Sequence, residues 1–159
     1  MSNLDFLIYF MLFICVSLIV SYTIIRAKQI RKTIEGLANN TLEITPEEFI
    51  KLRKESFGGR GKPSYALKFN FAGVYILYNK TKNLYYVGQG KQILNRVNAH
   101  FTGKGNGDVY ADYKYGDKFT IKMIALENSG YTSLNKLEKD TIMTYNSFAR
   151  GYNKTRGNR

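Results

Sequence analysis

Two tyrosines, one arginine, one histidine and one glutamate hold most of the chemistry this sequence can offer. Tyr75 closes the tripeptide Gly73-Val74-Tyr75 and Tyr86 opens Tyr86-Val87-Gly88, with a short polar turn between them. Arg96 and His100 are four residues apart, so on a helix they stack on one face. Glu138 follows Leu134 by one helical turn and precedes Ile142 by another, which puts it on an inward face. A carboxylate there is costly unless it is paired, hydrogen-bonded or bound to a metal. Together these side chains supply proton donors and acceptors, a permanent cation and an anion. Their plainer readings are an aromatic cross-strand pair, a solvated helix arginine and a structural ion pair between Glu138 and Arg96.

The elements that must position them can be read from pattern. Phe69 to Tyr78 and Leu84 to Val87 are rich in aromatic and β-branched residues, and Asn79 to Asn83 reads as the turn of a hairpin. With Lys80 and Thr81 at the tip, Tyr75 and Tyr86 stand directly opposite each other and project from one face. Gly88-Gln89-Gly90 then turns the chain into a helix from Gln92 to Phe101, buried along Ile93, Val97 and Phe101. Thr102 to Gly116 is glycine-rich and reads as a loop, and Phe119 to Leu126 as a further strand. Thr132 or Ser133 caps a helix running to about Phe148, with Leu134, Leu137, Ile142, Tyr145 and Phe148 as its apolar side. Upstream, Thr45-Pro46-Glu47-Glu48 is a capping box that starts a short helix, with Phe49, Leu52 and Phe57 on its apolar side. That helix should stop at Gly58-Gly59-Arg60-Gly61, a flexible join rather than a phosphate loop, because Pro63 stands where Ser or Thr is needed.

Composition narrows the classes. Cys15 is the only cysteine and His100 the only histidine, which excludes a disulfide framework and any multi-histidine metal centre. A metal here would be a hard cation held by carboxylate oxygen and water. The 24 basic residues all follow Ile25, against 11 of the 12 acids, leaving residues 26–159 with a formal charge of +13 and an anionic partner to expect. Phe6 to Ile25 runs twenty residues without a charge, long enough to span a bilayer. It lacks the basic start and small-residue cleavage site of a signal peptide, so it reads as a retained anchor. Arg26, Lys28, Arg31 and Lys32 crowd its C-terminal side, which puts the N-terminus outside and the remainder in the cytoplasm. The same cluster is suited to anionic headgroups. From Gln29 to Thr41 the pattern is weakly helical and breaks at Asn39-Asn40.

The two tripeptides, followed in order by Arg96, His100, a helical Glu138 and Asn153, resemble the GIY-YIG nuclease family over roughly Leu67 to Thr155. Valine replaces isoleucine in both tripeptides, which keeps the apolar volume. The resemblance implies an α/β (α+β) domain, a three-stranded antiparallel sheet flanked by helices, preceded here by one transmembrane helix. With the apolar run and the connector read above, the chain divides into an anchor (1–28), a helical connector (29–66) and a nuclease domain (67–159). The resemblance implies a phosphodiester hydrolase with one divalent metal, Mg²⁺ or Mn²⁺. Tyr75 would be the general base or orient the attacking water, with Tyr86 supporting it or helping to place the phosphate. Arg96 would bind the scissile phosphate, His100 assist proton handling, Glu138 hold the metal and Asn153 brace the site. The expected partners are DNA, with RNA left open, and a bilayer through residues 6–25. The expected role is cleavage of incoming phage or plasmid DNA at the inner membrane surface. The alternative is a non-catalytic, membrane-anchored nucleic-acid-binding module, which would bind DNA without Glu138 and cut nothing under any divalent metal.

Overall fold

The computed structural model describes residues 3–55, 64 and 68–157. The chain begins with one unbroken helix, α1 (Asn3–Asn39), 37 residues long. No proline interrupts it, and it ends at the Asn39-Asn40 pair, where the Asn40 amide still donates to the Gly36 carbonyl. Its apolar stretch is exposed on all sides and is long and apolar enough to cross a membrane. The next helix, α2 (Pro46–Lys54), starts at the expected capping box: the Thr45 side chain accepts from the Glu48 amide and the Glu48 carboxylate accepts from the Thr45 amide.

Strands β1 (Gly73–Asn79), β2 (Leu84–Gly90) and β3 (Phe119–Ala125) form an antiparallel sheet in the order β2-β1-β3. Helices α3 (Ile93–Phe101) and α4 (Gly107–Lys114) lie between β2 and β3 in sequence, and α5 (Leu134–Thr144) follows the sheet. The fold is thus the α+β arrangement expected: three antiparallel strands flanked by helices, with a long apolar helix in front.

The alternation of β1 splits its side chains between two cores. Tyr75 and Leu77 pack with Ile93, Val97 and Phe101 of α3, together with Phe49 of α2. Val74 and Ile76 face the other way, onto Leu137 and Ile142 of α5 and onto Ile34 and Ala38 near the end of α1. Ile44 exchanges backbone hydrogen bonds with Ile121 and so covers part of the free edge of β3. The apolar helix and the sheet are therefore joined by packed side chains, with Ile34 and Ala38 fully buried.

Several local expectations change. The first strand begins at Gly73 instead of Phe69, because the preceding residues receive α3: the Phe71 carbonyl accepts from the Ile93 amide and the Asn70 side chain from the Leu94 amide. The hairpin loop has four residues, and Tyr75 pairs with Gly88 while Tyr86 pairs with Leu77. The longer loop is held by Asn79, whose side-chain oxygen accepts from the Thr81 and Lys82 amides, and by Asn83 in a left-handed conformation. The second strand continues past Val87 to Gly90, with Gln92 as the N-cap of α3. The segment read as one loop contains α4, started by the Asn106 side chain accepting from the Asp108 and Val109 amides. Ser133 caps α5, which ends at Thr144, ahead of Phe148, as Asn146 takes a positive φ. Helix α2 ends at Lys54, and its expected stop at Gly58–Gly61, with Phe57 beside it, lies outside the described residues.

Candidate active site

Tyr75 sits on the central strand with no exposed surface. Its phenol crosses the partner strand at Gly88, where a Cβ would fall 2.3 Å from the hydroxyl oxygen. The final glycine of Tyr86-Val87-Gly88 therefore exists to let that ring through. Two positions of register separate the observed pairing from the expected one, and an even shift preserves the face. Tyr86 consequently stays beside Tyr75, with ring centroids 6.1 Å apart, as a diagonal neighbour rather than an opposed one.

His100 is buried behind the tyrosines, its Nε2 lying 2.8 Å from the Tyr75 hydroxyl. The backbone N–H of Asn106 donates to His100 Nδ1 at 2.9 Å. A nitrogen that accepts cannot carry the proton, so the neutral ring holds its hydrogen on Nε2 and donates it to the Tyr75 oxygen. Burial, helped by the nearby Arg96 charge, pushes His100 down to about 4, which keeps it neutral near pH 7. Burial also raises Tyr75 well above the usual phenol range, more than Arg96 lowers it. Tyr86 is raised in the same direction, chiefly by burial. Both phenols are therefore protonated in the protein alone.

Glu138 is only 7% exposed. It projects from α5 into a cleft of about 270 Å³ whose walls include Tyr75, Tyr86 and Arg96. The phenols and Glu138 arise from opposite faces of the sheet. They meet at the outer edge of β2, where Gly88 offers no side chain to separate them. The Gln89 amide donates to Glu138 Oε2 at 3.1 Å and to Asn135 Oδ1 at 2.7 Å, holding the carboxylate toward the strand. Asn153 also lines the cleft, and pairs with β2: its Oδ1 accepts from the Val87 amide at 2.9 Å and its Nδ2 donates to the Val87 carbonyl at 2.7 Å. Beside it, the Tyr152 amide donates to the Tyr85 carbonyl. The chain after α5 thus clamps the outer edge of β2 up to Val87 and leaves it open from Gly88 onward.

No group of three or more His, Cys, Asp or Glu side chains gathers among the described residues. A single carboxylate on a cleft with room for several waters fits a hard divalent ion that keeps most of its hydration, and does not fit a zinc-type cage. All six residues singled out in the sequence are at or directly behind this cleft. Gln89, Asn106 and Asn135 were not singled out. The signal for Gln89 was strand alternation, which puts it on the α5-facing side of β2 with Val87 and Tyr85 once the strand is extended to Gly90.

A family model, the GIY-YIG catalytic domain, matches residues 71–153, more than half of the chain, and this chain belongs to that family. It is accordingly a nuclease that hydrolyses phosphodiester bonds, and its substrate is nucleic acid. Nucleases of this family generally depend on a divalent metal. Searches of curated proteins and of solved structures return no match.

Proposed function

We propose that the chain is a divalent-metal-dependent DNA endonuclease held at the cytoplasmic face of the cell membrane, where it cuts incoming phage or plasmid DNA. The observation that carries this reading is the burial of Glu138 at the cleft it shares with Tyr75, Tyr86 and Arg96. The membrane side of the reading is supported by the apolar stretch of α1 and by the four basic residues that follow it. Meeting DNA on entry then follows from the position of the domain.

Within the site Arg96 holds the scissile phosphate, an exposed guanidinium at the mouth of a cleft. Glu138 holds the metal, Mg²⁺ or Mn²⁺, and Gln89 fixes which carboxylate oxygen faces the strand. When bound, the ion supplies positive charge that stabilises the charge growing on the phosphoryl oxygens. Tyr75 orients the attacking water; its own phenol proton passes first to solvent in the cleft, and the resulting phenolate takes the water's proton, with Tyr86 steadying the ring and the phosphate. The Nε2–H of His100 stabilises negative charge on the Tyr75 oxygen. Because Nδ1 already accepts from Asn106, His100 does not draw the proton inward, and it leaves through the cleft. Asn153 braces β2, keeping the edge open at Gly88.

The test is nicking of supercoiled plasmid by the full chain. Mg²⁺ should support it, EDTA should stop it, and Glu138→Ala and Arg96→Ala should each remove it. Cleavage that persists in EDTA or in Glu138→Ala would rule the proposal out.

A further inference from the structure

We infer that the groove between α1 and α5 binds the headgroup of an anionic phospholipid, an inference that rests on α1 crossing the membrane. The groove holds about 500 Å³ and opens beside Arg26, the first residue after the apolar run. From Arg26 to Ile30, which also lines it, α1 advances by about 6 Å, comparable to the depth of one headgroup layer. The continuity of α1 and the burial of Ile34 and Ala38 hold α5 against this stretch.

Its chemistry is divided as a phospholipid's is. Ile30, Ile142 and Phe148 give it apolar walls, and Phe148 and Met143 are left partly exposed. Arg26, Lys139 and Arg156 give it positive charge, and none of the three makes an ion pair with another described residue. The Arg156 guanidinium lies over the Phe148 ring at 5.3 Å, which keeps it at the groove. Asp140 is the one acid among the described lining residues, and it is committed to Lys136 and to the Tyr131 hydroxyl. On the other side of Met143 a second groove runs along α1 past Lys28 and Arg31, so the basic residues after the apolar run flank α5 on both sides. A track for nucleic-acid backbone would need the cations without the apolar walls. The walls match the glycerol and first acyl carbons, and the cations match the phosphate.

The full chain in mild detergent is titrated with dioctanoyl phosphatidylglycerol or dioctanoyl phosphatidylcholine, and bound lipid is counted by native mass spectrometry. Phosphatidylglycerol should occupy one site at least about ten-fold more tightly than phosphatidylcholine. Arg26→Gln with Lys139→Gln should weaken it by about 25-fold, roughly five-fold for each charge at the membrane surface. Plasmid nicking and far-UV circular dichroism of that double variant should be unchanged, which excludes misfolding. Equal affinity for the two lipids, an unchanged affinity in the double variant, or a short oligonucleotide that displaces the bound phosphatidylglycerol would each overturn the inference. Carbonate washing of membranes containing the full chain separates the two levels. Release of the chain would sink the anchor and the lipid site together, whereas a retained chain with no lipid preference would sink the lipid site alone.

Discussion

A methyl group on Gly88 would meet the Tyr75 hydroxyl at 2.3 Å and the ring carbon bearing it at 2.5 Å. Gly88→Ala therefore moves the phenol while keeping every other functional group. A displacement of about 1 Å in a catalytic group typically lowers the rate about 100-fold, and single-turnover cleavage by Gly88→Ala should fall by at least that much. A rate within a few-fold of wild type would show that the position of Tyr75 does not matter. His100 gives a second test at the same scale. Its folded pKa of about 4 lies below the ordinary 6.5, so the unfolded chain binds a proton that the native site refuses. The stabilising contribution is complete above pH 6.5 and is lost as the pH falls toward 4, by up to about 3 kcal/mol. Urea denaturation of the full chain in detergent should follow that decline, and His100→Gln should flatten it across the same window. An unchanged slope in the variant would place the titration elsewhere.

Among the elements, those whose information is local were legible. The Thr45 capping box, the Ile93-Val97-Phe101 stripe and the inward turn carrying Glu138 are all where the pattern put them. The hairpin register was not legible, because it is decided by Asn79 and Asn83 gripping the loop, and a side chain bonding to its own backbone leaves no periodic trace. Helix α4 was hidden by the glycines around it, although Asn106 before Asp108 and Val109 is an N-cap pattern. The tertiary polar pairings were also out of reach: Asn79 meets Tyr152 across 73 residues, and Asn153 meets Val87 across 66. The last pairing yields a prediction. Asn153→Ala strips both hydrogen bonds from the buried backbone of Val87 and should cost about 1–3 kcal/mol in stability, read from the urea midpoint. A midpoint equal to wild type would mean that β2 keeps its edge without the clamp.

At the scale of the whole molecule, the residues before the family match belong to the folded core. Ile34 and Ala38 complete one side of the sheet, and Ile44 and Phe49 the other. Burying a large apolar side chain contributes about 1.5–3 kcal/mol, against a total domain stability of about 5–15 kcal/mol. Residues 26–159 should therefore melt cooperatively, whereas residues 67–159 alone should aggregate or unfold without a cooperative transition. A sharp melt from 67–159 would show that α1 and α2 are accessory. The same packing fixes the site on one body with the apolar helix, so the cleft is held at a set distance from that helix.

The central claim is that two phenols, a guanidinium and one carboxylate act together on a phosphodiester, and cleavage and binding measured on the same Glu138→Ala protein test it most directly. The full chain with Mg²⁺ and a labelled DNA duplex should show single-turnover cleavage reduced at least about 1000-fold, with DNA affinity changed by less than a few-fold. Cleavage at the wild-type rate would contradict the account.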